Sequence, residues 1–269
     1  MITTTALEEF IGRHRAIFVL TGAGCSTGSG IPDYRDEAGA WKRSQPMTFQ
    51  AFTGSEAARQ RYWARSMIGW PRMAATRPNG AHAALARLES AGRCAVLLTQ
   101  NVDGLHQRAG SRRVVDLHGR LDLVRCLGCG RTLPREAMQE AMIVLNPGWG
   151  DLQAAEAPDG DAELETADFA RFSVPPCPAC GAVLKPDVVF FGENVPKDRV
   201  TAAYDALGRA DAVLVVGSSL MVWSGFRFVQ AAVAAGKPIA AVNRGRTRAD
   251  DLLTLKVVAD CAESLSFLL

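Results

Sequence analysis

The stretch Ala16-Ile17-Phe18-Val19-Leu20-Thr21-Gly22-Ala23-Gly24-Cys25-Ser26-Thr27-Gly28-Ser29-Gly30-Ile31-Pro32-Asp33-Tyr34-Arg35 decides the fold. Its first five residues are apolar, too few for a helix and bounded by glycine, so they predict a strand buried on both faces of a parallel sheet. Small residues where that strand ends let backbone N–H groups approach a pyrophosphate, and a helix N-terminus there favours its charge. A nucleotide site is therefore predicted at the strand's carboxyl end. The stretch departs from the G-x-G-x-x-G fingerprint: Gly22 and Gly24 hold its first two positions, Thr27 holds the third, and Gly30-Ile31-Pro32 stops any helix. No acidic residue stands about 20 positions after the glycines, where Lys42 and Arg43 lie instead, so a hydride-carrying dehydrogenase is disfavoured.

Ahead of this stretch, Thr5 to Arg15 reads as an amphipathic helix with Leu7, Phe10 and Ile11 on one face. Residues 37–78 concentrate the aromatics Trp41, Tyr62, Trp63 and Trp70, with helical character from Ser55 to Ile68, and read as a helical insertion. Asn79 caps a helix from Gly80 to Glu89, and Cys94 to Thr99 is a second buried strand, delivering Gln100-Asn101-Val102-Asp103 at its carboxyl end. Val114 to Leu117 is a short strand ending at His118-Gly119. The βα rhythm stops over residues 120–185. It resumes with strands at Pro186 to Phe191, Ala212 to Val216 and Pro238 to Val242, and helices at Val200 to Arg209 and Gly225 to Ala235. The expected architecture is α/β: a discontinuous Rossmann-like parallel-sheet domain (residues 1–36, 79–119 and 186–269) carrying a helical insertion (37–78) and a zinc-ribbon module (120–185), which together make a small domain.

The chain has 269 residues, 48% of them hydrophobic, enough for a substantial core. Thirty basic against 28 acidic residues leave a net charge of +2, which argues against nucleic acid as a partner. No apolar run approaches the roughly 20 residues of a membrane span, and Met1 to Phe10 lacks a secretory pattern, so a cytoplasmic protein with no membrane partner is expected. Of seven cysteines, four form Cys126-x2-Cys129 and Cys177-x2-Cys180, each followed by glycine. Four thiolates at this spacing predict one closed, structural zinc site. Gly217-Ser218-Ser219 repeats the design of the first loop, and with Gly22, Gly24, Gln100, Asp103 and Asn243 it gives four strand ends bearing small or polar groups, an arrangement suited to a dinucleotide. His118, with Asp116 as its local carboxylate, is a candidate general base, because imidazole titrates near neutrality. His14, His82 and His106 lie in or beside helices and have weaker claims.

The run Gly22 to Arg35, Thr99 to His106, His118-Gly119, the paired C-x2-C motifs, Lys185-Pro186-Asp187-Val188-Val189-Phe190-Phe191-Gly192-Glu193 and Gly217-Ser218-Ser219-Leu220 together resemble the sirtuin (Sir2) family, in the family's order and over almost the whole chain. Within it the chain is most similar to class II and the sirtuin 4 branch. Arg59 to Arg65 and the loop with Leu145-Asn146-Pro147 and Ala157-Pro158-Asp159-Gly160-Asp161 carry that closer likeness. The resemblance implies an NAD-dependent protein lysine deacylase that consumes NAD: an acyl-lysine amide oxygen attacks C1′ of the nicotinamide ribose, nicotinamide leaves, and lysine and O-acyl-ADP-ribose result. His118 is implied as general base and Asn101 as a second catalytic residue that orders ribose and water. Asp103 and Ile31 are implied to hold the nicotinamide carboxamide, and Gln100 the ribose hydroxyls. The loop with Ala23, Pro32, Asp33, Tyr34 and Arg35 would close over NAD. Gly217, Ser218, Ser219, Asn243, Arg244, Gly245 and Cys261 would hold its phosphate and adenosine end. An acyl-lysine peptide would add as a strand beside Val189, Phe190, Phe191, Gly192 and Glu193. Tyr62 and Arg65 match the spacing by which sirtuin 5 recognises acidic acyl groups, so an acidic or bulky acyl preference and plain acetyl removal both stay open. Protein mono-ADP-ribosylation on the same site is the alternative activity, and a monomer is expected.

Overall fold

The computed structural model describes residues 2–33, 36, 47–151, 155–156, 162–163 and 168–269. In chain order these form helix α1 (Ile2–Arg13), strand β1 (Ile17–Thr21), α2 (Phe49–Gly54), α3 (Glu56–Ala75), α4 (Gly80–Ser90), β2 (Cys94–Thr99), α5 (Leu105–Arg108), β3 (Val114–Asp116), β4 (Gly119–Cys126) and β5 (Thr132–Pro134). Next come α6 (Arg135–Leu145), the short strands β6 (Ala155–Glu156) and β7 (Ala162–Glu163), β8 (Leu184–Val188), α7 (Lys197–Arg209), β9 (Ala212–Val216), α8 (Trp223–Ala234), β10 (Ile239–Val242), β11 (Leu255–Val257) and α9 (Cys261–Ser264). Among the described residues no helix is long and apolar enough to cross a membrane.

Six strands make one parallel sheet in the order β11-β10-β9-β1-β2-β3. β1 sits inside it with every residue buried, as its unbroken apolar run requires. Alternate side chains serve opposite faces: Ile17 and Val19 pack with Leu7 and Ile11 of α1 and Leu85 and Leu88 of α4, whereas Phe18 and Leu20 pack with Ala203 and Leu207 of α7 and Phe228 and Val229 of α8. Each fully buried Leu, Val or Phe contributes roughly 1.5–3 kcal/mol, so these two faces supply much of the sheet's stability. The strand order reverses between β1 and β9, and this is where an open α/β sheet leaves a crevice.

A third apolar cluster lies off the sheet. Phe52 of α2 and Trp63, Met67 and Trp70 of α3 pack with Val124 of β4, Met138 and Met142 of α6, Phe172 and Leu184. The Trp63 indole donates to the Leu184 carbonyl at 3.2 Å. Arg135 is buried between the Trp63 and Trp70 rings and donates to the Ser66 carbonyl, so its charge is solvated by protein.

Several boundaries differ from the sequence reading. Helix α1 spans Ile2–Arg13: His14 Nδ1 bonds the Phe10 carbonyl at 2.7 Å, and the N–H groups of Arg15 and Ala16 turn to the Asp211 carboxylate. Helix α3 continues past Ile68 and through Pro71 to Ala75, because burial of Trp70 and Met73 overrides the proline's local preference. Helices α7 and α8 begin at Lys197 and Trp223, ahead of Val200 and Gly225. The expected strand Pro186 to Phe191 is corrected to Leu184–Val188. It pairs antiparallel with β4 in a separate sheet, β5-β4-β8, so the expected boundary between residues 185 and 186 falls inside a strand.

Candidate active site

The loops after β1 and β9 meet at the strand-order reversal. Gly22 N–H donates to the Val216 carbonyl at 3.1 Å and Gly24 N–H to the Gly217 carbonyl at 2.8 Å. Gly217 has φ +62°, and a Cβ there would run into the Cys25 backbone nitrogen, so only glycine fits. Beside these loops opens a cavity of about 550 Å³, within the range of small-molecule sites. It is lined by Gly22, Ala23, Gly24, Ile31, Pro32, Asp33, Gln100, Asn101, Asp103, His118, Gly217, Ser218, Ser219, Asn243, Arg244, Gly245 and Cys261. The sheet thus brings together, around one cavity, all the expected dinucleotide residues except Tyr34 and Arg35, which lie outside the described residues, as do Trp41, Lys42, Arg43 and the loop 157–161.

Hydrogen bonds fix the polar groups. Asn101 Nδ2 donates to the Gly22 carbonyl and to Ser26 Oγ, both at 3.0 Å. Ser26 Oγ donates in turn to Asp103 Oδ2 at 2.7 Å, while Asp103 Oδ1 accepts the Leu105 N–H at the start of α5. Gln100 Nε2 donates to Ser218 Oγ at 2.7 Å, tying β2 to the loop after β9. At the other end, Asn243 Nδ2 donates to the Gly245 carbonyl, and Arg244 pairs with Asp260 at 3.0 Å. Burial pushes the Cys261 thiol up to about 12, so it stays a neutral wall group. Leu220, buried beside the cavity, is the non-glycine residue with positive φ among those described (58°), a conformation that costs about 1–3 kcal/mol and clusters at functional sites.

His118 sits where β3 gives way to β4. Its Nδ1 lies 2.9 Å from the Gln100 carbonyl, which can only accept, so Nδ1 carries the proton and Nε2 the lone pair. Nε2 lies 2.7 Å from Ser224 Oγ. Burial, offset in part by the Gln100 bond, lowers its pKa to about 4, so the ring is neutral at pH 7 and able to accept a proton. The expected partner Asp116 is corrected: its carboxylate accepts two 2.9 Å bonds from Gln107 Nε2, because β3 ends there and the chain turns away before reaching His118.

One wall of the cavity is made by Val189, Phe190, Phe191, Gly192 and Glu193 and another by Leu220, Met221 and Val222. The first segment is held from beneath: Glu193 accepts the Phe190 N–H at 2.8 Å and pairs with buried Lys185 at 3.1 Å. The Gly192 carbonyl accepts from Gln50 Nε2, and the Phe191 carbonyl accepts the Phe49 N–H. Tyr62, only 3% exposed, lines the cavity and stands edge-on to Phe52, Trp63 and Phe190. Arg65, half-buried one turn along α3, is not among the lining residues. Sequence reading passed over Ser26, Ser224, Met47 and Met73, all of which line the cavity. Ser26 stood inside the glycine-rich run, whereas nothing local marked Ser224.

The four cysteines Cys126, Cys129, Cys177 and Cys180 bring their sulfurs within 4.8 Å of one another, with Cys126 to Cys180 at 3.5 Å and Cys129 to Cys177 at 3.9 Å. Tetrahedral zinc with Zn–S near 2.3 Å spaces sulfurs at about 3.8 Å, so the set fits one closed structural ion. Cys25, His82 and His106 also cluster. However, His82 Nδ1 accepts the Asn79 N–H in the cap of α4, which leaves the proton on Nε2 and no free lone pair for a metal.

The match to the Sir2 family model covers residues 22–224, and the chain belongs to that family. It is 66% identical over 266 residues to an NAD-dependent protein deacetylase of Xanthomonas campestris pv. campestris (strain B100), covering 99% of this chain and 91% of the relative. It is 65% identical over 268 residues to NAD-dependent protein deacetylase 2 of Bradyrhizobium diazoefficiens, covering 100% and 98%. A solved structure of Sir2 with a p53 peptide and NAD+ superposes with a TM-score of 0.77 at 31% identity, covering 98% of this chain and 96% of that one.

Burial lowers the pKa of His82 and His106 as well as that of His118. The unfolded chain takes up protons on these rings as pH drops below about 6.5 and the folded chain takes up fewer, so stability is lost as pH falls through that range, by up to ~1.4 kcal/mol per unit for each. Urea unfolding at pH 7.0 and 5.5 is expected to give a lower midpoint at 5.5; equal midpoints contradict the buried neutral assignment.

Proposed function

We propose that the chain is an NAD-dependent protein lysine deacylase, removing acetyl and related acyl groups from lysine side chains. The observation that carries this reading is His118, a neutral base in the cavity that also gathers the ends of β1, β2, β9 and β10. The names of the bacterial relatives support it.

When bound, NAD supplies an electrophilic sugar carbon, a nicotinamide leaving group and ribose hydroxyls. In this reading Asp103 and Ile31 hold the carboxamide, Asn101 and Gln100 orient the ribose, and Ser218, Ser219, Asn243, Arg244, Gly245 and Cys261 hold the phosphate and adenosine end. Ala23, Pro32 and Asp33, with Tyr34 and Arg35, cover the cofactor and exclude water until the glycosidic bond breaks. His118 accepts a ribose hydroxyl proton at Nε2. A substrate peptide lies as an added strand between residues 189–193 and 220–222, bound largely through main-chain hydrogen bonds, so its sequence selectivity is modest. The enzyme is read as a cytoplasmic monomer in which a Rossmann-like domain carries a small domain built from the helical insertion and the zinc module.

Within the family we assign the chain to class II, near the sirtuin 4 branch, on the likeness of Arg59 to Arg65. Tyr62 and Arg65 share one face of α3 at i,i+3 spacing, and Tyr62 faces the cavity. An arginine pairs bidentately with a carboxylate, but Arg65 itself does not line the cavity, so acetyl and acidic or bulky acyl groups both stand as substrates in this reading.

One experiment tests both levels: purified protein, NAD and acetyl-, succinyl- and glutaryl-lysine peptides, read by mass spectrometry. O-acyl-ADP-ribose with loss of the acyl mass from the peptide is expected. ADP-ribose added to protein without deacylation would favour ADP-ribosyl transfer instead. His118→Ala is expected to lower product formation by about 10²–10⁴-fold with the fold intact, and full activity in that variant would remove the ring from the mechanism. If Arg65 meets an acidic acyl group, Arg65→Met lowers succinyl and glutaryl turnover by roughly 10-fold or more relative to acetyl, the loss of one charge-assisted bond. Equal loss on all three peptides rejects that contact.

A further inference from the structure

We propose that Ser224 is a positioning residue for His118, its hydroxyl holding the Nε2 edge of the ring while the Gln100 carbonyl holds the Nδ1 edge. The inference rests on the reading of His118 as the base. Nε2 to Ser224 Oγ is 2.7 Å and Nδ1 to the Gln100 oxygen is 2.9 Å, so both ring nitrogens are engaged and the ring cannot flip or swing without losing a bond. With Nδ1–H donating to Gln100, Nε2 can only accept, and Ser224 donates its O–H to it.

A hydroxyl is suited to this place for a second reason. When the ribose hydroxyl takes the Nε2 lone pair, Ser224 rotates its O–H away, and once the proton has moved Ser224 Oγ shares the new N–H with the ribose oxygen as a second acceptor. Ser224 gains and loses no proton, yet a bond persists in both states of the ring, and it is the stronger, charge-assisted kind in the imidazolium. In a buried site, where burial otherwise disfavours the charged ring, that contact lowers the cost of proton uptake. Alanine can serve neither state.

The backbone is shaped to deliver this contact. Ser224 lies in the first turn of α8 and lines the cavity. The next residue is Gly225, where a Cβ would stand 2.5 Å from Gln100 Oε1. Absence of a side chain there lets the helix start close against the end of β2, the segment whose carbonyl fixes the other side of the imidazole. Gln100 and its surroundings therefore set both anchors of the ring.

The test compares wild type, Ser224→Ala, Ser224→Thr, His118→Ala and the His118→Ala/Ser224→Ala double variant, with thermal unfolding checking that each folds. Ser224→Ala is expected to lower kcat for deacetylation about 10- to 100-fold with KM for NAD within about 2-fold, and Ser224→Thr, which keeps the hydroxyl, to restore most of it. In the His118→Ala background the serine change is expected to cost nothing further, because the two side chains act as a unit. Without NAD, the ¹⁵N resonance of His118 Nε2 is expected to move toward that of an unbonded acceptor in Ser224→Ala and to stay in place in Ser224→Thr. An unchanged kcat, a loss carried by KM, an equal loss with and without His118, or an unmoved Nε2 resonance overturns the inference. If wild type itself forms no O-acyl-ADP-ribose, the deacylase reading fails and the positioning role falls with it, an outcome distinct from an active wild type matched by an active Ser224→Ala.

Discussion

The structure depends on one close contact, the backbone of the loop after β1 lying directly against the backbone of the loop after β9. Gly24 N–H reaches the Gly217 carbonyl at 2.8 Å, with no side chain on either residue to hold the two loops apart. The sheet dictates this contact, since β1 and β9 pair in register from Ile17 with Ala212 to Thr21 with Val216, and their carboxyl ends emerge side by side. The chain reverses its winding direction at this point, so the helices beyond the two loops diverge and leave a crevice. Two loops of small residues line it, while the N–H groups of Gly22, Gly24 and Gly217 are spent on carbonyls of neighbouring strand ends and loops.

From that contact a continuous set of hydrogen bonds runs to His118. Asn101 reaches the Gly22 carbonyl and Ser26, Ser26 reaches Asp103, Gln100 ties β2 to Ser218, and the Gln100 carbonyl holds the imidazole. A satisfied network of this kind is rigid, because breaking one bond leaves a polar group unpaired in a partly buried place. The His118 ring is thus oriented by the same strand end that shapes the crevice, and Ser224 meets its other nitrogen. The four-cysteine module and helices α2 and α3 share an apolar cluster with Phe190, which lies in the segment forming one side of the cavity. Zinc in that module would act through shape, far removed in chemistry from the reacting atoms.

Much of this was legible in the sequence, and the reasons are physical. A strand buried on both faces leaves an unbroken apolar run, so β1, β2 and β9 could be read directly, and the residues after each run lie, by geometry, at the sheet's edge. Paired C-x2-C motifs have few chemical uses outside metal binding. His118 stood out by its place after a short strand, but its partner was misread: adjacency in sequence suggested Asp116, whereas the turn between β3 and β4 hands the ring to a backbone carbonyl. Strand β8 was misassigned because an apolar run carries no information on which sheet it joins. Its partner β4 is fixed by the antiparallel register from Cys126 with Leu184 to Gly119 with Val188. Helix α3 outran its expected end because tertiary burial outweighed Pro71. Ser224 was invisible, since its meaning comes from contact with a residue 106 positions earlier.

The most direct measurement of the central claim is a crystal structure of the chain with NAD and an acetyl-lysine peptide. Density for the dinucleotide is predicted across the ends of β1, β2, β9 and β10, with the nicotinamide ribose within hydrogen-bond reach of His118 and the adenosine between Asn243 and Cys261. Density for the ribose in any other cavity, with His118 facing protein or water alone, would contradict it.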